Sequence, residues 1–231
     1  MSEKLLEAVE RETGANPEYS VIWIHGLGDS GHGFVAVVRQ LDLTGCPAVR
    51  FVLPHAPNMP VTINGGYVMP SWYDIRGADI AATEDEAGIR ASHAMLNKLI
   101  EREIARGIPA EKIFVAGFSQ GCAMALQIGL RFPQKLAGII GLSGYVPLGH
   151  TVPAERSAAN LKTPIFLAHG RHDAVIPILR SEQTRDYLAA LGHRIEWRAY
   201  QMEHNVIDDE VDDIAAWLRQ IIINSPQHPE K

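Results

Sequence analysis

The sequence predicts an α/β fold in which a mostly parallel central sheet is covered by helices on both faces. Short apolar segments alternate with longer amphipathic ones along the chain, which is typical of parallel strands joined by crossover helices. The apolar segments are continuous runs of Val, Ile, Leu and Phe, as expected of strands that are buried on both faces. The 231 residues are 46% hydrophobic and 21% charged, which suits one globular domain spanning residues 1–231.

Six strands and five helices are expected in alternating order. The strands are predicted at residues 19–25, 49–54, 112–118, 137–143, 163–170 and 194–200. The helices are predicted near residues 33–41, 83–106, 120–131, 178–191 and 206–223. Thr83 and Glu86 have the spacing of a capping box at the start of the second helix. Residues 55–82 form a long segment rich in Pro and Gly, and loops of that length in compact domains often carry function.

Composition narrows the classes of partner and location. The formal net charge of -6, from 21 basic and 27 acidic residues without a long run of one sign, argues against a nucleic-acid partner or a polyanionic substrate. The charged start MSEKLLEAVERETG differs from a signal peptide, and no apolar run reaches the roughly 18 residues of a membrane span. We therefore expect a cytoplasmic protein without a stable membrane anchor. Cys46 and Cys122 offer neither a disulfide framework nor metal-ligand spacing, and are expected to be small core residues.

Residues 117–121, GFSQG, place Ser119 between two glycines where a predicted strand meets a predicted helix. In this strand–turn–helix setting, the GxSxG pattern is typical of a nucleophilic serine. Such a turn holds the serine in a strained backbone conformation that aims its hydroxyl away from the sheet, and a Cβ at either glycine would crowd it. The alternative interpretation is that Ser119 only caps the helix.

A serine nucleophile requires a base, usually a histidine that a carboxylate orients. In a doubly wound sheet, such groups lie in loops at the carboxyl ends of the strands. Asp173 follows the predicted strand 163–170, and His204 follows the predicted strand 194–200. The order serine, acid, histidine is that of an α/β-hydrolase. His172, beside the acid, is kept as a candidate auxiliary group.

Two backbone N–H groups are the candidate donors to the oxyanion of a tetrahedral intermediate: that of Gln120, after the nucleophile, and that of Leu27, in the loop after the first strand. The same loop spells GxGxxG over residues 26–31, which raises the alternative of a dinucleotide-binding turn. That alternative requires a carboxylate about 20 positions later to bind the ribose, where this chain has Val52-Leu53-Pro54-His55. No metal or other cofactor is expected, because no motif has the spacing of metal ligands.

Six motifs in order resemble the small carboxylesterase and acyl-protein thioesterase family, also called the phospholipase/carboxylesterase family. They are HGLGDSGHG (25–33), PHAP (54–57), MPSWYDI (69–75), EDEAGI (84–89), GFSQGCAMAL (117–126) and HGRHDAVIP (169–177). The resemblance covers roughly residues 20–222. It implies an α/β-hydrolase without a separate lid domain that cleaves carboxylic esters through an acyl-enzyme, using Ser119, Asp173 and His204 and the oxyanion donors Leu27 and Gln120.

The resemblance also implies what the protein acts on. Family members act on acyl esters, lysophospholipids or lipidated proteins, so acyl-protein thioesterase or lysophospholipase activity is the alternative to carboxylesterase activity. A small ester or acyl compound is the expected substrate, and a homodimer is compatible with the family. A binding protein without catalytic activity stays an alternative, because a fold alone does not guarantee chemistry.

The resemblance places five apolar residues beside the acyl chain of the substrate, and two positions depart from the family pattern. The five are Leu27, Val68, Met69, Trp72 and Ile176. For Trp72 the alternative is a packing anchor that pins its loop to the core. Cys122 replaces a second glycine, and Glu203 precedes the histidine where the family has a small or apolar residue. If Glu203 turned inward, it would raise the pKa of that histidine.

Overall fold

The computed structural model describes residues 5–77 and 83–225. Its strands are β1 (Ala8–Glu12), β2 (Tyr19–Ile24), β3 (Val49–Pro54), β4 (Asn58–Val61), β5 (Tyr67–Pro70), β6 (Ile113–Phe118), β7 (Gly138–Leu142), β8 (Ile165–Gly170) and β9 (Ile195–Tyr200). Its helices are α1 (Val35–Gln40), α2 (Glu86–Ala105), α3 (Gln120–Gly129), α4 (Val152–Glu155), α5 (Ile178–Ala190) and α6 (Asp208–Asn224). The six predicted strands and five predicted helices all occur, with ends shifted by a few residues.

Seven strands form the central sheet in the order β1-β3-β2-β6-β7-β8-β9. All neighbours pair in parallel except β1, which runs antiparallel to β3 at one edge. The prediction of a mostly parallel sheet is therefore confirmed. Parallel strands bring their carboxyl ends to one edge of the sheet, so the loops after β2, β6, β8 and β9 meet there.

Helices cover both faces of the sheet. Strand β2 is buried along its whole length, and its side chains alternate between two hydrophobic clusters, as the pleat of a strand requires. Val21 and Trp23 pack in the cluster that includes residues of α1 and α6. Ile22 and Ile24 pack in the cluster that includes residues of α2, α3 and α5. This two-sided burial explains why the strands read as continuous apolar runs.

Three strands were not predicted from the sequence. The β1 segment AVERE has three charged residues among five, which suits an edge strand that is only partly buried. Strands β4 and β5 form an antiparallel two-stranded sheet inside the long segment 55–82, and each contains a proline, a residue that weakens any strand prediction. Residues 78–82 of that segment lie outside the described residues.

The predicted capping box at the start of α2 is wrong. The helix begins at Glu86 with Asp85 in the N-cap position, and no side-chain bond caps it. Glu84 forms an antiparallel bridge with Ile75, so the chain is still extended where the capping box would need a helical turn. The Asp85 carboxylate instead accepts hydrogen bonds from the Arg76 guanidinium and from the backbone N–H of Asp74.

Candidate active site

Ser119 is the strained residue of the tight turn between β6 and α3. Its φ is 57° and its ψ is -119°, a positive-φ conformation that residues with a Cβ rarely adopt. Its side chain makes no capping bond to α3, and its Oγ lies 2.9 Å from Nε2 of His204. The interpretation that Ser119 only caps the helix is therefore wrong, because the hydroxyl faces a histidine.

The glycines around Ser119 are required by close backbone contacts. A Cβ at Gly117 would lie 2.1 Å from the carbonyl oxygen of Gly121, and a Cβ at Gly121 would lie 2.0 Å from that of Ile24. Neither distance is possible for a side chain, so both positions need glycine. A Cβ at Gly26 would lie 3.3 Å from Cβ of Ser119. The loop after β2 thus packs against the serine turn, which accounts for Gly26 without a nucleotide.

His204 and Asp173 reach Ser119 from the loops after two neighbouring strands, β9 and β8. His204 Nδ1 lies 2.6 Å from Asp173 Oδ2, and its Nε2 faces the Ser119 hydroxyl. The carboxylate can only accept the first of these bonds, so Nδ1 carries the proton and Nε2 is left as an acceptor. A neutral imidazole in this tautomer can remove a proton from the hydroxyl.

The Asp173 carboxylate is held by neutral donors alone among the contacts of the described residues. Its Oδ1 accepts the backbone N–H groups of Val175, at 2.9 Å, and Ile176, at 2.8 Å. Its Oδ2 faces Nδ1 of His204 and, at 3.3 Å, Nε2 of His169. The side chain is fully buried. A charge held in this way remains available to stabilise an imidazolium at His204.

Leu27 and Gln120, the expected oxyanion donors, lie in the same cavity as the candidate nucleophile. Both residues line the cavity that also exposes Ser119 and His204. Within residues 5–77 and 83–225, no backbone acceptor is found for either N–H group. Gln120 is the first residue of α3, where unpaired N–H groups and the helix dipole favour an anion. Their roles as donors stay predictions.

His25 fixes the orientation of the Leu27 N–H through the preceding carbonyl. Burial lowers the pKa of His25, so the ring is neutral at neutral pH. Its Nε2 accepts the N–H of Ala56 at 3.1 Å, and its Nδ1 therefore donates to the Gly26 carbonyl at 2.7 Å. Since a peptide unit is planar and trans, holding the Gly26 carbonyl also sets the direction of the Leu27 N–H.

The Gln120 side chain ties the serine turn to the long segment 55–82. Its Oε1 accepts the backbone N–H of Trp72 at 2.9 Å, and its Nε2 donates to the Tyr73 carbonyl at 2.7 Å. The indole Nε1 of Trp72 donates to the His25 carbonyl at 2.9 Å. These bonds join the two loops that carry the candidate oxyanion donors.

The cavity at Ser119 has a volume of about 680 Å³, within the range of small-molecule sites. Its apolar lining includes Leu27 and Ile176, and adds residues that the sequence did not single out. These are Phe34, Val37, Ile63, Ile75, Phe118, Val175 and Val206, together with Tyr73 and Tyr145. The cavity can hold an apolar group beside the serine.

Val68, Met69 and Trp72 do not line this cavity, contrary to the expectation for all three. Val68 is exposed on β5, because β4 and β5 form a separate hairpin at the surface. Met69 lies on the same hairpin near Gly28, where a Cβ would be 3.7 Å from its sulfur. Trp72 is 1% exposed and packs in the hydrophobic cluster that includes residues of α2, α3 and α5, and its indole N–H donates to the His25 carbonyl. The packing-anchor alternative therefore describes Trp72.

The two departures from the family pattern leave the site geometry intact. Cys122 is buried, and its side chain lies against Gly141 and Gly144, which have no Cβ to displace it. Burial raises the pKa of the Cys122 thiol. Glu203 is exposed rather than turned inward. His172 is also exposed, and its Nε2 lies 2.8 Å from Oε1 of Gln201, so it is not an auxiliary group of this site.

Sequence reasoning missed His25, the Gln120 side chain and His169. His25 and His169 each stand at the end of a predicted strand within a motif already singled out, HGLGDSGHG or HGRHDAVIP. That position was the available signal, because the carboxyl end of a parallel strand is where site residues gather. The Gln120 side chain had no such signal, because its partners lie in a loop far away in sequence.

The described residues contain neither a candidate metal site nor a candidate membrane-spanning helix. No group of three or more His, Cys, Asp or Glu in residues 5–77 and 83–225 is arranged to hold a metal ion. In the same ranges, no helix combines the length and the apolar character needed to cross a membrane.

Known proteins of one family are similar to this chain over most of its length. The family model described as phospholipase/carboxylesterase matches residues 7–222. Acyl-protein thioesterase 1 from Neurospora crassa is 43% identical over 232 aligned residues, which cover 94% of this chain and 90% of that protein. The match confirms the resemblance seen in the six motifs.

Solved structures show the same fold. The crystal structure of Arabidopsis thaliana SOBER1 has a TM-score of 0.82 at 30% identity, covering 88% of this chain and 98% of that one. Zea mays acyl-protein thioesterase 2 also has a TM-score of 0.82, at 27% identity, covering 94% of this chain and 100% of the other. The predicted α/β-hydrolase fold is therefore confirmed.

Proposed function

The chain belongs to the phospholipase/carboxylesterase family of α/β-hydrolases, and on that premise we propose that it hydrolyses acyl esters and thioesters at Ser119. In this proposal Ser119 is the nucleophile, His204 is the general base and Asp173 orients the base. The observation that carries it is the unbroken chain of hydrogen bonds from hydroxyl to imidazole to buried carboxylate, at 2.9 Å and 2.6 Å.

The reaction proceeds in two halves through an acyl-enzyme. His204 Nε2 takes the proton of Ser119 Oγ as that oxygen attacks the acyl carbon, and the N–H groups of Leu27 and Gln120 stabilise the oxyanion. The bond between the acyl carbon and the oxygen or sulfur of the leaving group then breaks, and the imidazolium gives its proton to that atom, which departs as an alcohol or thiol. In the second half, His204 takes a proton from a water molecule that attacks the acyl carbon, and then returns it to Ser119 Oγ as the carboxylic acid is released. Asp173 holds the tautomer of His204 and stabilises its protonated form.

The cavity and the relatives favour an apolar acyl group. The lining beside Ser119 is largely aliphatic and aromatic, and burying each methylene contributes about 0.8 kcal/mol. The relative from Neurospora crassa carries the name acyl-protein thioesterase 1, which supports thioesters of acylated proteins among the substrates. Simple carboxylic esters and lysophospholipids share the same acyl chemistry and are the alternatives.

Replacement of the serine tests the proposal. Ser119→Ala should lower kcat by a factor on the order of 10⁴ to 10⁶ for both an ester and a thioester, because it removes the nucleophile. Ser143→Ala is the matched control, since Ser143 is also buried with a positive φ of 49° but does not line the cavity. Retention of more than about a tenth of the activity in Ser119→Ala would refute the assignment.

A substrate panel distinguishes the candidate leaving groups and acyl lengths. Ethyl esters, thioesters and lysophospholipids of matched acyl length should each gain up to about fourfold in kcat/KM per added methylene until the cavity is filled. If the activities on esters, thioesters and lysophospholipids all fall together in Ser119→Ala, one site hydrolyses all three. Preference for thioesters supports action on acylated proteins. The cytoplasmic location, the compatible homodimer and the absence of a nucleic-acid partner stay predictions.

A further inference from the structure

His169 is a buried histidine beside the candidate acid that the reaction scheme above does not use. It lies in β8 and is 0% exposed. Its Nε2 lies 2.8 Å from the carbonyl oxygen of Ile176 and 3.3 Å from Oδ2 of Asp173. Its Nδ1 lies 2.6 Å from Oγ of Ser181, on α5. Both ring nitrogens therefore face oxygen atoms.

The contacts of Nε2 fix where one proton of the His169 ring must lie. The Ile176 carbonyl can only accept a hydrogen bond, so Nε2 carries a proton. The same N–H faces Asp173 Oδ2, the oxygen that also accepts Nδ1–H of His204. Because the Ile176 N–H donates to the other carboxylate oxygen, residues 173–176 and His169 form one closed set of hydrogen bonds around the acid.

The His169 ring supplies a dipole rather than a second cation. Burial lowers the pKa of His169 despite the opposing effect of Asp173, so the ring is neutral at neutral pH. The other charged or titratable groups that act on it are His204 and, from α5, Glu182. A neutral donor stabilises the carboxylate without competing with an imidazolium at His204 for the same negative charge.

Ser181 connects His169 to the nucleophile turn. The Ser181 hydroxyl contacts Nδ1 of His169 and the carbonyl of Gly144; both are acceptors, so its single proton is shared between them. Gly144 packs against the turn, since a Cβ there would lie 2.8 Å from the carbonyl oxygen of Ser119. A path of direct contacts therefore leads from the acid through His169 and Ser181 to the backbone that carries Ser119.

We propose that His169 is a positioning residue for the acid of this site. Its Nε2–H, shared between the Ile176 carbonyl and Asp173 Oδ2, holds the carboxylate in the orientation that His204 needs. The proposal rests on the proposed function, because it takes Asp173 as the acid. His169 does not touch the reacting atoms, and it acts through Asp173.

Two isosteric variants separate the donor function from the bulk of the ring. In His169→Gln the side-chain amide reaches about as far as Nε2 of the histidine, so it keeps a donor for Asp173. In His169→Asn the amide reaches only as far as Nδ1, so the donor to Asp173 is lost. His169→Asn should lower kcat by about 10- to 100-fold, the usual effect of losing a hydrogen bond to a charged group, with little change in KM. His169→Gln should recover most of that loss.

The pH profile gives a readout that a purely structural role would not move. A carboxylate that loses its orientation toward Nδ1 of His204 stabilises the imidazolium less. The acid limb of kcat/KM should therefore move to lower pH in His169→Asn, by on the order of 0.5 pH unit, and stay near its original position in His169→Gln. The substrate is a p-nitrophenyl ester, assayed with the full-length enzyme.

His193→Asn is the matched control, because His193 is also a buried histidine, in the turn before β9, and has no role in the proposed site. It should lower the melting temperature without changing kcat or the acid limb. If His169→Asn does not fold, Ser181→Ala tests the same point, because it releases Nδ1 and should lower kcat by a smaller factor, about three- to tenfold.

The outcomes are distinguishable from failure of the proposed function. If Ser119→Ala and Asp173→Asn stay active, the proposed function fails. If those variants are inactive but His169→Asn or Ser181→Ala changes only the melting temperature, as His193→Asn does, the positioning role is refuted. If His169→Gln loses as much kcat as His169→Asn, the donor is not what matters, and the proposal is also refuted.

Discussion

Asp173 and Glu103 are carboxylates whose side chains are fully buried, but they lie at opposite ends of the central sheet and are stabilised differently. Glu103 contacts Arg50 at 2.9 Å, Arg102 at 3.0 Å and Arg106 at 3.1 Å. Asp173 is contacted by backbone N–H groups and two histidines. One charge is neutralised by cations, and the other is held by dipoles.

The difference follows from what each end of the sheet does. Ser20 and Arg50 lie at the amino ends of β2 and β3, and both bond to Glu103 on α2. Glu10 on β1 also pairs with Arg102 and Arg106, so this cluster ties the edge strand to the sheet and to α2. Around Asp173, permanent cations would compete with the imidazolium that must form at His204. Salt bridges thus join elements around Glu103, whereas among the described residues no Lys or Arg side chain pairs with Asp173.

Asp173→Asn should give the largest effect and should act on catalysis alone. The amide can still accept and donate, but it favours the wrong tautomer of His204 and does not stabilise the imidazolium, so kcat should fall by about 10⁴. The free energy of unfolding, measured in urea, should change little. A variant that loses stability but keeps its kcat would remove the distinction between the two carboxylates.

Trp72→Ala should lower both the free energy of unfolding and kcat, unlike a change at either carboxylate. Trp72 is buried at the catalytic end and bonds to the His25 carbonyl. Its loss should cost about 3–5 kcal/mol of unfolding free energy, and should lower kcat for short and long acyl chains alike, since it does not line the cavity. Trp72→Phe, which keeps most of the packing, is the milder control. A selective loss for long acyl chains would place the ring beside the substrate.

Glu103→Gln should act on stability alone. It leaves three arginines without their shared buried partner, and breaking such a pair costs about 3 kcal/mol or more. Because Glu10 still contacts Arg102 and Arg106, the loss of unfolding free energy should be close to that minimum of about 3 kcal/mol. Urea unfolding measures the loss, and kcat on a p-nitrophenyl ester should match the unmodified enzyme. A fall in kcat in folded protein would show that the two ends are coupled.

Glu210→Gln should change stability in a pH-dependent way, because the buried Glu210 carboxyl has neither cations nor hydrogen-bond donors in the described part of the chain to stabilise its charge. Its carboxyl is buried in the first turn of α6 without a hydrogen-bond partner among the described residues. Burial, with Asp213 nearby, raises its pKa from 4.5 to about 8. Between those values the folded state holds a proton that the unfolded state has released, so stability falls as pH rises through that window.

The Glu210→Gln variant should therefore match the unmodified protein near pH 5 and exceed its unfolding free energy near pH 8 by on the order of a few kcal/mol. Melting temperatures at the two pH values measure the difference. Asp209→Asn, an exposed change in the same helical turn, is the control and should show no such pH dependence. Equal melting temperatures for Glu210→Gln and the unmodified protein at pH 8 would contradict the expectation.

Much of the fold and of the candidate site could be predicted because the signals are local. The alternation of apolar and amphipathic segments identified six of the seven sheet strands, since the pleat and the helical turn impose their periods on neighbouring residues. Ser119, Asp173 and His204 could be named because each stands just beyond a strand, and parallel strands bring such positions to one edge. The strained turn at Ser119 followed from the two flanking glycines together with the predicted strand before it and the predicted helix after it.

Tertiary structure decided which neighbours each polar or aromatic side chain would have. Sequence could not place Trp72 beneath its loop, Val68 on a surface hairpin or His169 against Asp173, because these contacts join residues from separate elements. Nor could it show how the burial of Glu103, Asp173 and Glu210, which are the same functional group in three environments, would be compensated in each case. The charge and hydrogen bonds of a buried carboxylate depend on groups brought near it by packing, and the local periods that specify strands and helices carry no record of those groups.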